Sequence, residues 1–214
     1  MKTIKIFGLP RSCTNVTEVA IKANFKTRIL TNFPDWKHGK NTMEGRSLVD
    51  KERRINTDDL VFVVCTKSPY SWFISITNFE NRTKRKKHLS LEESIKGSFM
   101  FHYKDKNPIE MYNTMNSHWM TMFDNPYAMQ QVKAEDMAND QPKVLIRLQK
   151  NFKLANRKKT ISPILKRVNP SAKVGGREFV EKDPAKLYNK ELLKYINKRL
   201  DPEVMDLMGY DYLS

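Results

Sequence analysis

Gly8-Leu9-Pro10-Arg11-Ser12-Cys13-Thr14-Asn15 follows a short apolar segment and runs into a helical pattern. A glycine-containing turn between a strand and a helix presents backbone N–H groups to an anion, and the helix dipole adds to the attraction. The chemistry open to this stretch is phosphate binding. As an ATPase loop it fails, because GxxxxGK[ST] needs a lysine for the phosphates and a Ser/Thr for Mg²⁺. Here the second glycine and the lysine are both missing. The apolar run Leu60–Cys65 also leads into Thr66-Lys67 without the aspartate that would hold magnesium.

A second stretch offers a second phosphate contact. Lys67 ends the apolar run, Pro69 starts a turn, and Ser75 lies eight residues after Lys67. A strand-end lysine and a serine on the first helical turns can converge on one phosphate, the lysine as point charge and the serine as a directional hydroxyl. Taken singly, each residue also reads as an ordinary surface side chain.

The elements that must position these residues follow from periodicity. Lys2–Phe7 reads as a strand, Thr14–Phe25 as a helix with Val16, Val19, Ala20 and Ala23 on one face, and Arg28–Phe33 as a short strand. Leu60–Cys65 is apolar throughout, as in a strand buried on both faces. A helix starts near Ser71. Ser90 and Glu93 have capping-box spacing, and Asp140-Gln141-Pro142 places an N-cap and a proline at a helix start. Further helices are expected over Ile109–Met122 and near the end of the chain, the last announced by Asp201-Pro202, with a strand over Ala128–Lys133. Residues 34–59 and 152–174 read as loop or lid segments. Alternating buried strands and helices predict an α/β domain with a parallel sheet, one domain over residues 1–214.

Together the two phosphate stretches resemble those of the sulfotransferases that use 3′-phosphoadenosine 5′-phosphosulfate (PAPS). The family's first loop reads roughly P-[KR]-S-G-T-[TN], here Pro10-Arg11-Ser12-Cys13-Thr14-Asn15; its second reads roughly R-D-P-x-x-x-x-x-S, here Lys67-Ser68-Pro69 through Ser75. Trp36-Lys37-His38, Tyr112-Asn113 with Trp119, Val132 through Glu135-Asp136, and Leu207-Met208-Gly209-Tyr210 are weaker echoes. Three departures stand out. Cys13 replaces glycine, which asks for a tighter loop or a strained φ. Lys67 replaces arginine, and the C-terminal phosphate element is only faintly suggested by Lys173 through Arg177.

The resemblance implies a three-layer P-loop NTPase-like fold and transfer of a sulfuryl group from PAPS to an acceptor hydroxyl or amine, leaving 3′,5′-ADP, with no metal required. It implies that Pro10, Arg11, Ser12, Cys13, Thr14 and Asn15 hold the 5′ side of the donor, that Lys67 and Ser75 hold the 3′-phosphate, and that Arg11 meets charge on the leaving oxygen. His38 is the expected base. His88 sits in the basic run Arg82–His88, and His102 and His118 lie in stretches that read as helix packing or surface. Glu135 is the next residue to consider, and Lys37 could steer the sulfuryl group. Trp36 could stack an adenine; Trp72 and Trp119 read as core.

Composition sets the outer bounds. Lys and Arg outnumber Asp and Glu by 39 to 24 in 214 residues, which favours anionic partners. No apolar run approaches a membrane span or a signal peptide. Cys13 and Cys65 suit free thiols in a reducing cytoplasm better than a disulfide framework. Two alternatives remain: a P-loop nucleotide or nucleoside kinase, and a non-catalytic nucleic-acid-binding protein using Arg82–His88 and Phe152–Lys173. The acceptor, whether small molecule, carbohydrate or protein, has no readable code in the sequence.

Overall fold

The computed structural model describes residues 1–30, 38, 57–83, 88–97, 107–121, 129–164 and 184–214. It divides into two compact units, residues 1–66 with 121–180, and residues 67–120 with 181–214.

The first unit holds the sheet. Strands β1 (Thr3–Gly8), β2 (Arg28–Leu30), β3 (Leu60–Thr66) and β4 (Met129–Lys133) lie in the order β2-β1-β3-β4 and pair in parallel throughout. The register sets Gly8 beside Cys65 at the end of the two central strands, and Cys65 beside Val132. β1 and β3 are both buried along their whole length; β3 is the near-continuous apolar run expected of a central strand, whereas β1 alternates, with Lys5 between Ile4 and Ile6. Helix α1 (Thr14–Asn24) follows β1 and buries Val16, Ala20 and Ile21 against Ile4, Ile6, Val61 and Val63. In chain order come α2 (Pro69–Thr83), α3 (Leu91–Lys96) and α4 (Pro108–Thr121), all in the second unit, then α5 (Ala134–Asn139) and α6 (Gln141–Phe152) after β4. Asp140 caps α6 by accepting from the Lys143 N–H at 3.0 Å, and Val144, Leu145, Leu148 and Phe152 join the α1 core. The opposite face of β1 carries Lys5, which is fully buried with its ammonium 5.1 Å from the Phe7 ring centre.

The second unit is helical. Trp72 and Phe73 of α2 and Tyr112 of α4 form an aromatic cluster with ring centres 5.4–5.9 Å apart, and Trp119 is fully buried, so Trp72 and Trp119 are core residues. The capping box forms as its spacing predicts: the Glu93 N–H donates to Ser90 Oγ and the Ser90 N–H to the Glu93 carboxylate. Two closing helices, α7 (Lys190–Asn197) and α8 (Pro202–Met208), follow. Gly209 ends α8 at φ 64°, with the Tyr210 N–H returning to the Met205 carbonyl, so the Leu-Met-Gly-Tyr ending is a helix stop that needs a left-handed residue.

The structure thus has the expected α/β class, a parallel sheet flanked by helices. It differs in detail from the sequence reading. α2 begins at Pro69, because proline fits the first helical turn. Glu135 and Asp136 follow the end of β4 directly and fall in the first turn of the short α5, where their charge suits the helix N-terminus. Residues 153–164 form no regular helix or strand, as the sequence suggests, and one antiparallel bridge, Phe25–Asn156, ties them to the end of α1. Most of 34–59, the run 84–87, and 165–174 lie outside the described residues, as do Trp36, Lys37, His102 and the Lys173–Arg177 stretch. No described helix is long and apolar enough to cross a membrane.

Candidate functional site

The turn from β1 to α1 is built as a strained cradle. Arg11 and Cys13 both adopt left-handed backbone conformations, at φ 73° and 61°. Each costs about 1–2 kcal/mol for a residue with a Cβ. Cys13 therefore occupies the conformation that glycine serves in the resembling loop, and the expected strained φ is present. Gly8 is required by close approach. A Cβ there would lie 2.5 Å from the Cys65 carbonyl oxygen and 2.9 Å from Thr14 Cγ2. Because the nearest obstacle is backbone of a central strand, Gly8→Ala is expected to lower stability by about 2–4 kcal/mol, from overpacking plus the cost of its positive φ. Urea unfolding of the variant measures this, and an unchanged midpoint would contradict it.

Local hydrogen bonds hold the turn in shape. Ser12 donates both its N–H and its hydroxyl to the Leu9 carbonyl, at 3.1 and 2.7 Å. The Thr17 N–H donates to the Cys13 carbonyl at 3.0 Å, which starts α1. Pro10, Ser12 and Thr14 are buried, Cys13 and Asn15 are half-buried, and Arg11 is exposed. Thr17 Oγ1 lies 3.6 Å from the Cys13 sulfur and accepts from the Cys65 thiol at 3.5 Å. The Cys13 thiol is pushed well above its usual range by a hydrogen bond with Cys65 and by burial, with the Cys65 and Glu135 charges adding to the effect. Both cysteines are free thiols. Cys13 is thus neutral near pH 7 and adds no negative charge to the cradle.

The structure brings His38 to this turn. Its imidazole is only 9% exposed, and Nδ1 lies 2.6 Å from the Gly8 carbonyl oxygen. A carbonyl only accepts, so Nδ1 carries the proton, and in the neutral ring Nε2 carries the lone pair. The alternative of a solvent-exposed loop histidine does not hold. Glu135 lies near enough to influence the Cys13 thiol, while Asp136 faces Arg147 at 3.6 Å. His88 is exposed, and His118 is half-buried on α4.

Lys67 and Ser75 belong to the second unit. Lys67 immediately follows β3 in the chain, and the Ser68 carbonyl accepts from the Trp72 N–H at 2.8 Å, which opens α2. Ser75 is half-buried on the second turn of α2. Tyr112, itself fully buried, donates its hydroxyl to the Lys67 carbonyl at 2.7 Å. Asn113 donates to the Arg199 carbonyl and accepts from the Asp201 N–H. The Tyr-Asn pair therefore ties the Lys67 backbone and the α7–α8 connection to α4. Sequence reading noticed the pair without assigning it this positioning task; a tyrosine inside a helical apolar face was the available signal.

No protein-family model matches the chain, and no curated protein matches it by sequence. Its fold is similar to the crystal structure of a sulfotransferase from Alicyclobacillus acidocaldarius, with a TM-score of 0.56 over 99% of this chain and 97% of that one, at 13% identity. The two proteins share a fold.

Proposed function

We propose that the protein is a sulfotransferase that takes its sulfuryl group from PAPS. The observation that supports this most is His38 bonded through Nδ1 to Gly8, at the head of a strained anion-binding turn. The fold likeness to a sulfotransferase supports the same class of activity.

The residues present suit such a donor. The turn closes on a glycine with no room for a Cβ and opens at the N-terminus of an 11-residue helix. Its exposed cation is Arg11, and its thiol is neutral. In this reading the Ser12–Asn15 amides and hydroxyls hold the 5′-phosphate and sulfuryl oxygens. Lys67 and Ser75 hold the 3′-phosphate, the group that distinguishes PAPS from ATP. When bound, PAPS supplies an activated S–O bond. Sulfuryl transfer then asks three things of the protein: align the acceptor, remove its proton, and balance charge on the departing oxygen. His38 Nε2 takes the proton and Arg11 balances the charge.

The kinase alternative needs a lysine followed by a Ser/Thr at the end of the loop, and those two positions are Thr14 and Asn15. The two readings separate in a thermal-shift panel of 3′,5′-ADP, 5′-ADP and ATP with and without Mg²⁺, because a ligand of the folded state raises its apparent stability. The expected order puts 3′,5′-ADP first, independent of magnesium. Equal shifts from all three would remove the PAPS assignment, and a shift seen only with ATP and magnesium would favour a kinase.

A further inference from the structure

The first unit carries a dense basic surface that the donor turn does not use. Residues 141–164 contain no Asp or Glu, and neither do residues 19–30. Lys143, Arg147 and Lys150 recur at helical spacing on the exposed side of α6, and Lys153 continues the row at the helix C-cap. A second row is formed by exposed Lys26 and Arg28 on one chain segment and exposed Arg157, Lys158 and Lys159 on another.

Hydrogen bonds fix the second row as a ledge. The Lys26 N–H donates to the Ala155 carbonyl at 2.8 Å, and the Arg157 N–H to the Asn24 carbonyl at 2.7 Å. Asn24, almost fully buried, exchanges side-chain bonds with the Ser162 backbone at 3.0 and 2.7 Å. The Gln149 amide donates to Asn156 Oδ1 at 2.8 Å, which joins the ledge to α6. Arg147 has a long contact with Asp136, at 3.6 Å. Among the described residues, Lys26, Arg28, Lys150, Lys153, Arg157, Lys158 and Lys159 make no ion pair with a carboxylate. Crowding like charges on a fixed surface opposes folding, and a polyanion would relieve that repulsion.

We propose that this surface binds the phosphate backbone of double-stranded nucleic acid. Lysines outnumber arginines, so the contacts are point charges rather than forks, as phosphate positioning without base reading needs. Exposed Asn151 and Asn156 add hydrogen-bonding amides between the cations. The aromatic residues of the region, Phe25 and Phe152, are buried, so no stacking platform for unpaired bases is present in these segments. Two rows suit a ligand with two charged strands, whereas a single-chain polyanion follows one row. The ledge packs at the C-terminal end of α1 and the donor turn at its N-terminal end, about 16 Å apart along 11 residues. The ledge is therefore separate from the proposed chemistry and does not depend on it.

The test is duplex DNA binding by fluorescence anisotropy across a salt series, with heparin as the single-chain comparison. Lys150→Ala/Lys153→Ala interrupts the α6 row, and Arg157→Ala/Lys158→Ala/Lys159→Ala the ledge. The expected result is an affinity that falls by about 10³-fold or more between about 50 and 200 mM salt. Each variant should weaken binding and flatten the log–log salt slope by about one per phosphate contact removed. All side chains are exposed and relief of like-charge repulsion can only help folding, so neither variant should melt below the wild type and both should keep its shift with 3′,5′-ADP. No duplex binding at low salt, or binding unchanged in both variants, would overturn the proposal. Dependence on one row only, or tighter binding of heparin at the same salt, would assign the surface to a sulfated chain and overturn it as well. Loss of the 3′,5′-ADP shift in the wild type would count against the donor reading and not against this one.

Discussion

His38→Ala is expected to reduce turnover roughly 10²–10⁴-fold, the usual contribution of one general base, while 3′,5′-ADP binding stays nearly unchanged. The acceptor's proton must leave as the new bond to sulfur forms. The hydrogen bond from Nδ1 to Gly8 fixes the tautomer, so the basic nitrogen is Nε2. The ring is buried, so alanine also removes packing and a buried hydrogen bond. His38→Asn separates the two effects. Its amide can donate to the Gly8 carbonyl as Nδ1 does, but it cannot take a proton. Asparagine is therefore expected to recover much of the stability and none of the rate. Near-normal turnover in His38→Asn would remove His38 as the base, and Glu135, which acts on the Cys13 thiol, would be examined next.

Arg11→Ala is expected to lower turnover roughly 10²–10³-fold, as loss of one charge-stabilising donor does elsewhere, with a smaller effect on donor affinity. Charge grows on the departing oxygen only as the S–O bond breaks, so a cation aimed there acts more on the transition state than on the bound donor. The backbone adds a second expectation. Arg11 holds φ 73° with an exposed side chain, a conformation that glycine adopts without penalty. Arg11→Gly should therefore be at least as stable as the wild type and as slow as Arg11→Ala. Strain kept at a residue that carries the chemistry is a reason for such a trade between stability and activity. Single-turnover rates and thermal melts on the two variants decide it. A fall in affinity with unchanged turnover would give Arg11 a binding role only.

Much of the sheet was legible because its signals are local. β3 is an apolar run and β1 an alternating one, both of strand length, and the caps at Ser90, Asp140 and Asp201 sit within three residues of the N–H groups they accept from. The turn between β1 and α1 was legible through its residue order. Its strain was visible only as a cysteine in a glycine's place. What the sequence did not show are contacts between distant residues. His38 reaches Gly8 across 30 positions, and Tyr112 reaches Lys67 across 45. The Phe25–Asn156 bridge joins two segments with no shared pattern, so the docking of the irregular residues 153–164 at the end of α1 was not legible. Asn24, a polar residue on the buried face at the end of α1, was the one mark of that junction. Its burial is explained by bonds to the Ala20 carbonyl and the Ser162 backbone.

The central claim is that the protein recognises the 3′-phosphate of its nucleotide through Lys67 and Ser75. Titration calorimetry with 3′,5′-ADP and 5′-ADP, on the wild type, Lys67→Ala and Ser75→Ala, tests it most directly. Removing the 3′-phosphate from the ligand and removing its partner from the protein should not add. The wild type is expected to prefer 3′,5′-ADP by about 1–3 kcal/mol per charge-assisted contact, and each variant should lose most of its share of that preference while binding 5′-ADP as before. Equal affinity of the wild type for the two nucleotides, or a preference that survives in both variants, would contradict the account.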